Sequence, residues 1–140
     1  MNFKSVIVAL MLSNSSLLLS KPLLISSPEE HKACFNSSKP ILVLYTDPAR
    51  CAPCRQLEPV FNKVAEAYTD IEFYVVKTST PQLQTLIRDL SIQSIPVLVF
   101  AYNKKIITRA VGRLTEPELK RKIVSFKIEV AKIDSHIKHS

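Results

Sequence analysis

The stretch that decides the fold is ILVLYTDPARCAPCR, residues 41–55. It opens with ILVLY (41–45), a continuous apolar run of strand length, which is typical of a strand that is buried on both faces. After a short polar loop come Cys51 and Cys54, in a C-x-x-C arrangement. Two cysteines at this spacing can hold a metal, form a structural disulfide, or cycle between dithiol and disulfide as a redox catalyst. The surrounding sequence has to distinguish these three uses.

Helices and strands are predicted to alternate on both sides of this stretch. Apolar residues at helical spacing predict helices at 27–35, 55–68 and 80–90 and from 115 past 130, and short apolar runs predict strands at 41–45, 72–77, 96–102 and 106–111. Thr115 and Glu118 form a capping box at the start of the last helix, and Pro59 predicts a kink in the second. The element order predicts an α/β fold, a central mixed β-sheet flanked by helices on both faces.

This context favours redox use of the cysteine pair. Cys51 is expected at a helix N-terminus, where unpaired N–H groups and the helix dipole stabilise a thiolate and lower its pKa. Cys54 lies one turn later, so the two sulfurs come within disulfide reach and the buried one can attack a mixed disulfide formed by the exposed one. Pro53 stiffens the turn between them. Arg50 and Arg55 flank the motif with positive charge.

Five features of residues 28–125 make the chain resemble thioredoxin and its exported relatives. They are the strand ILVLY leading to C-x-P-C, Pro59 five residues after the second cysteine, the strand EFYVV, the Ile-Pro pair in SIQSIPVLVF, and VGRLTEPELKRKI near the end. The resemblance implies a thioredoxin-like fold and a thiol-disulfide oxidoreductase. In such an enzyme Cys51 would be the attacking nucleophile and Cys54 would resolve the intermediate.

The resemblance also implies functions for other positions. Pro96 would be a cis-proline that faces the cysteines, and the backbone of Ile95 would pair with a substrate strand. Gly112 would lie near the substrate surface. Ala52 and Pro53, between the cysteines, would tune the redox couple.

The chain departs from the family at the position of a buried aspartate. That aspartate, which is thought to move protons for the buried cysteine, falls on Leu44 or Tyr45, and its lysine partner falls on Val75. Asp47 or Glu58 could replace the carboxylate through water. The alternative for both is a solvated surface charge.

A second departure lies at the motif itself and bears on the direction of electron flow. Arg50 stands where thioredoxins usually have Trp, and Ala52 stands where they have Gly. Ala-Pro between the cysteines and Ile before Pro96 are similar to reducing thioredoxins, whereas oxidising exported members typically carry a histidine between the cysteines. We therefore hypothesise an exported protein-disulfide reductase active in cell redox homeostasis. The alternatives are an exported oxidase or isomerase, and a non-catalytic thioredoxin-fold binding module.

The first 27 residues differ in composition from the rest. They contain two lysines and no carboxylate, and the apolar run 6–12 is interrupted by polar residues 13–16. This order predicts a signal peptide, cleaved near Ser15, Ser20 or Ser27, with an uncleaved membrane anchor and a disordered cytoplasmic leader as alternatives. We expect a leader at 1–27, a thioredoxin-like domain at 28–126, a C-terminal helix extension and tail at 127–140, and a bacterial periplasmic location. A reducing couple there needs an upstream thiol electron donor.

The net charge of +7 is concentrated near the C-terminus, where residues 104–140 contain ten basic and four acidic residues. No aromatic interleaving or nucleic-acid motif accompanies these charges, so nucleic acid is not an expected partner. Contact of this basic helix with a membrane surface or the electron donor is an alternative to a solvated face. A zinc site would need ligands beyond the C-x-x-C pair, for which Cys34 with His31 is the alternative to a packed Cys34. We expect neither a metal nor a cofactor.

Overall fold

The computed structural model describes residues 21–140, and the predictions for residues 1–20 lie outside the described residues. The strands are β1 (Leu23–Ile25), β2 (Ile41–Thr46), β3 (Glu72–Lys77), β4 (Val97–Tyr102) and β5 (Lys105–Val111). The helices are α1 (Pro28–Phe35), α2 (Ala52–Ala67), α3 (Gln84–Asp89) and α4 (Glu116–Lys138), with a 3₁₀ turn at Pro81–Leu83 before α3. The predicted helix at 80–90 is thus divided into a 3₁₀ turn and a short α-helix.

The five strands form one mixed sheet in the order β1-β3-β2-β4-β5. The central strand, β2, is parallel to β3 and antiparallel to β4, and all six of its residues are buried. Its apolar run reflects this position, because helices cover both faces of the sheet. The mixed sheet with helices on both faces that the sequence predicts is confirmed.

Side chains of β2 alternate between two cores. Leu42 and Leu44 belong to the cluster on the face covered by α2 and α4, which we call the α2 face. Val43 and Tyr45 belong to the cluster on the opposite face, with residues of α1 and α3. This alternation follows from the two-residue period of a strand. It fixes which residues of β2 lie beneath the cysteine-bearing helix.

Two local signals in the last third of the chain give the structures they predict. Thr115 Oγ1 accepts from the Glu118 N–H at 3.4 Å, and Glu118 Oε2 accepts from the Thr115 N–H at 2.7 Å, which completes the capping box of α4. The β4–β5 hairpin turns at Asn103 and Lys104, both with positive φ, as a two-residue hairpin turn requires. Among residues 21–140, no helix has the length and apolar character to span a bilayer.

The edge strand β1 was not predicted as a strand. Its residues fall within the expected leader, yet they pair in parallel with β3, and Ile25 is only 3% exposed. Leader cleavage near Ser15 or Ser20 would leave β1 in the mature chain, whereas cleavage at Ser27 would remove it. In a chain processed by leader cleavage, the site of cleavage would decide whether the sheet keeps β1.

A chain that begins at residue 21 is expected to be more stable than one that begins at residue 28. Burial of Ile25 alone contributes about 1.5–3 kcal/mol to the free energy of unfolding. Urea denaturation of the two truncated proteins measures the difference. Within the longer protein, Leu23→Ala is the matched control, because Leu23 is 63% exposed and should change stability by no more than about 0.5 kcal/mol. Equal stability of the two truncated proteins would contradict the pairing.

Candidate active site

Cys51 and Cys54 are joined as a disulfide at the N-terminus of α2, with their Cα atoms 5.2 Å apart. Cys51 is the N-cap residue, in an extended conformation, and its sulfur accepts from the Cys54 N–H at 3.2 Å. Cys51 is partly exposed, whereas Cys54 is fully buried. An external thiol or disulfide can therefore reach only the first sulfur. Pro53 lies in the first turn of the helix, where its missing N–H costs no hydrogen bond.

The loop that precedes β4 and the loop that follows β5 meet beside this disulfide. The Ile95 carbonyl oxygen lies 3.7 Å from Cys51 Sγ, and the Ile95–Pro96 peptide bond is cis. The Pro96 carbonyl accepts from the Gly112 N–H at 2.8 Å. Gly112 has φ +94°, a conformation that favours glycine, and a Cβ there would meet no atom within 4 Å. The structure thus brings together Cys51, Ile95, Pro96 and Gly112, four of the residues that the sequence singled out.

Three arginines surround the disulfide. Arg50 is exposed just before Cys51, Arg55 donates to the Pro48 carbonyl at 2.8 Å, and Arg113 donates to Gln56 Oε1 at 2.8 Å. None of them takes part in the ion pairs formed among residues 21–140. The rim of the disulfide is therefore positively charged.

The proposed substitutes for the family's buried carboxylate make no hydrogen bond to the cysteines among the described residues. Asp47 is only 7% exposed, so it is not a solvated surface charge. It lines a surface depression with Arg50, Thr78 and Gln84 that includes neither cysteine. Glu58 is partly exposed on α2. Neither carboxylate forms a described hydrogen bond to the cysteine pair.

The side chains at positions 44 of β2 and 75 of β3 are apolar. Leu44 is the direct register partner of Val75, and both lie in the cluster on the α2 face with Leu57 of α2. Tyr45 points to the opposite face. Of the two candidate positions for the family's aspartate, Leu44 lies on the α2 face with Val75, whereas Tyr45 does not.

Sequence reasoning missed one polar group on the same face. Thr46, the last residue of β2, is fully buried, and its Oγ1 has no hydrogen-bond partner within residues 21–140. The available signal was its spacing, two residues after Leu44 at the end of the strand nearest Cys51. The period of two places the Thr46 side chain on the α2 face.

A second polar cluster lies on the opposite face of the sheet. His31 Nε2 and the Tyr45 hydroxyl are hydrogen-bonded at 2.7 Å, and the Cys34 thiol donates to the His31 carbonyl at 3.1 Å. Burial raises the pKa of Cys34 to about 12, with the nearby charge of Glu72 as a smaller cause. This thiol therefore stays protonated and is a poor nucleophile. Within residues 21–140, no three His, Cys, Asp or Glu side chains are grouped as metal ligands.

The buried His31 predicts a pH-dependent stability. Burial lowers the pKa of His31 from 6.5 to about 4, so the unfolded chain binds a proton more readily than the folded one. The stabilisation is complete above pH 6.5 and is lost as the pH falls towards 4, by about 3 kcal/mol in total. Urea denaturation between about pH 5 and 6.5 measures it while most carboxylates remain ionised.

The His31→Gln variant is the control for this pH dependence. Its stability should change much less over the same pH range, whatever its absolute value. An identical slope in the native protein and in His31→Gln would assign the pH dependence to other groups.

Comparisons with known proteins agree with this geometry. The Thioredoxin family model matches residues 23–136. Thioredoxin H5 of Arabidopsis thaliana is 32% identical over 77 residues, which cover 55% of this chain and 64% of that protein, just under two thirds of its length. Thioredoxin of Griffithsia pacifica is 36% identical over 88 residues, which cover 61% of this chain and 79% of that protein.

Solved structures show the same similarity. Thioredoxin NaTrxh from Nicotiana alata has a TM-score of 0.68 at 28% identity, covering 80% of this chain and 97% of that one. Thioredoxin O1 from Arabidopsis thaliana in the oxidised state has a TM-score of 0.67 at 25% identity, covering 75% and 96%. The family match begins at β1 and includes both cysteines and the loops beside them. This chain belongs to the thioredoxin family of thiol-disulfide oxidoreductases.

Proposed function

We propose that the chain is an exported protein-disulfide reductase. The observation that carries the direction of electron flow is the complete burial of Cys54, one helical turn before the apolar Leu57 of the α2 face. Apolar surroundings disfavour a thiolate. A couple whose reduced form is strongly stabilised is oxidising. Here Ala52 and Pro53, between the cysteines, carry no histidine or other charge that would stabilise the reduced form, so the disulfide is favoured and the dithiol is a reductant.

The reaction proceeds in two exchanges. The Cys51 thiolate attacks a substrate disulfide, and one substrate sulfur leaves as a thiol after taking up a proton. The Cys54 thiolate then attacks Cys51 Sγ, the Cys51–Cys54 bond forms, and the second substrate sulfur leaves. The substrate gains two electrons and the protein loses them. An upstream thiol donor must return them.

The arginines around the disulfide support a preference among substrates. Arg50, Arg55 and Arg113 present unpaired positive charge on both sides of the partly exposed Cys51. A substrate disulfide with Asp or Glu beside its cysteines would be attracted to this rim. Acidic-flanked protein disulfides are the substrates that the site fits best.

Export and the donor contact rest on other features. The basic start and apolar run of residues 1–12 support export. The exposed face of α4 presents Val124 and Ile128, and basic residues lie nearby on the same helix. This face is our proposed contact with a membrane surface or with the donor. N-terminal sequencing of the protein recovered from intact cells and from their medium or periplasm tests export.

The reduction potential of the Cys51–Cys54 couple tests the direction of electron flow. The protein is equilibrated against thiol-disulfide buffers of known potential, and the fraction of disulfide is measured. Thioredoxin lies near roughly −270 mV and the strongest periplasmic oxidant near roughly −120 mV. A value near the lower figure is expected. A value near the upper figure would make the chain an oxidase, and the lack of a reversible couple would favour a binding module.

The substrate preference has its own test. Peptide disulfides flanked by Glu, Gln or Lys are compared at low and high salt. The Glu-flanked peptide should react fastest, with an advantage that decreases with salt. Reversing the charge of Arg50 and Arg113 to Glu should invert the order, while Lys138→Glu, at the far end of α4, should not change it. Equal rates for all three peptides would reject the preference and leave the reductase proposal standing.

A further inference from the structure

Thr46 is unusual among the buried polar residues. Within residues 21–140, its Oγ1 is the only buried side-chain nitrogen or oxygen without a hydrogen-bond partner. A buried hydroxyl in this condition destabilises the state in which it is found, since it has given up its bonds to water. The structure is that of the disulfide form. A hydrogen-bond acceptor that forms only in the reduced protein would account for a buried hydroxyl without a partner in the oxidised one.

The alternation of β2 puts Thr46 on the same side of the sheet as Cys54. Leu42 and Leu44 lie on the α2 face. Thr46 is two residues further along β2, towards the disulfide, so its side chain points to the same face. Cys54 is the first buried residue of α2, one helical turn before Leu57, which belongs to the cluster on this face. The buried hydroxyl and the buried sulfur therefore lie at the same end of one interface.

The neighbouring strand gives a second, independent placement. The antiparallel register ends where Tyr45 pairs with Val97, so Thr46 follows the last paired residue of β2 and Pro96 directly precedes the last paired residue of β4. Directly before Pro96, the Ile95 carbonyl oxygen is 3.7 Å from Cys51 Sγ. The register thus places Thr46 next to the loop whose Ile95 carbonyl oxygen contacts Cys51 Sγ.

We propose that Thr46 is a positioning residue for the resolving exchange, in which its hydroxyl donates a hydrogen bond to the Cys54 thiolate. In the disulfide form the hydroxyl forms no hydrogen bond to either sulfur, whereas the thiolate of the reduced form is a much stronger acceptor towards which it can turn. Since Leu44 is apolar, Thr46 supplies the nearby polar group on this face. This inference rests on exchange at the cysteine pair, and not on export or on the direction of electron flow.

The electron and proton balance of the step is simple. The Cys54 thiolate attacks Cys51 Sγ of the mixed disulfide, forms the Cys51–Cys54 bond and breaks the bond from Cys51 to the substrate. The electron pair leaves with the substrate sulfur, which takes up a proton from water. Thr46 keeps its own proton throughout. It raises the fraction of Cys54 that is ionised and ready to attack.

The test follows the resolving step itself in the purified full-length chain. The reduced protein is mixed with an excess of a small aromatic disulfide, and release of the second thiol is followed from acid to alkaline pH. Thr46→Val should be about tenfold slower at neutral pH, because it loses a hydrogen bond to a charged sulfur. The difference should disappear at alkaline pH, where Cys54 is ionised in both proteins. Thr46→Ser keeps the hydroxyl and should stay within about twofold of the native rate.

The oxidised proteins provide the structural control. Thr46→Val removes an unpaired hydroxyl with little change of shape, so its disulfide form should be at least as stable in urea as the native protein. If this variant does not fold, the rates of Thr46→Ala and Thr46→Ser make the same comparison. The proposal is overturned if loss of the hydroxyl leaves the rate unchanged at every pH, or lowers it by one constant factor throughout.

Discussion

Cys54→Ser is expected to hold substrates on Cys51 as stable mixed disulfides. Cys51 is the sulfur that solvent reaches, and Cys54 is the buried sulfur that would release the substrate. Without Cys54 the first exchange still occurs, but the second cannot. Cys51→Ser should instead lose disulfide reduction by roughly a thousandfold or more, because the nucleophile is gone. Non-reducing gels of whole-cell extracts and an insulin-reduction assay measure the two effects.

The third cysteine provides a matched control for this experiment. Cys34 is buried in α1, its thiol donates to the His31 carbonyl, and its pKa is raised to about 12. Cys34→Ser should therefore neither trap substrates nor lose activity. Equal trapping by Cys51→Ser and Cys54→Ser would show that the two sulfurs do not have the distinct roles proposed here.

Phe126→Ala is expected to have the largest effect on stability, a loss of about 3–5 kcal/mol. Phe126 is 1% exposed, and its ring packs edge-on against the ring of Phe100 with their centroids 5.4 Å apart. It joins α4 to β4 in the cluster on the α2 face. Truncation leaves a cavity that the surrounding strands can fill only in part. Urea denaturation, monitored by far-UV circular dichroism, measures the loss.

Ile128, two residues later on the same helix, is the control for this substitution. It is 52% exposed, so Ile128→Ala should change stability by no more than about 0.5 kcal/mol. Comparable losses at both positions would contradict the assignment of the Phe126 effect to core packing, since alanine is the better helix former at both positions. The difference between the two losses of stability measures the contribution of the core contact made by Phe126.

Features specified by neighbouring residues could be predicted from the sequence. The capping box of α4 needs only Thr115 and Glu118, and the placement of Cys51 at a helix N-terminus needs only the apolar strand before it and the helical pattern after it. The prediction of redox chemistry at the cysteine pair followed from these local patterns. The resemblance to a known family supplied the expected roles of Ile95, Pro96 and Gly112.

Features that depend on distant pairing could not be predicted in this way. A three-residue strand such as β1 is too short for its periodicity to separate it from a leader, and only its partner β3 identifies it. The His31–Tyr45 hydrogen bond joins residues 14 apart in sequence, on two different elements. The unpaired hydroxyl of Thr46 becomes visible only when burial and all its neighbours are known.

The position of β1 at the sheet edge has a consequence for how the chain is made. Leu23 pairs with Tyr74, so the first strand to be synthesised must wait for some fifty further residues before its partner exists. Until then the residues of β1 have no strand partner. The edge of the sheet is therefore completed only after β3 has been synthesised.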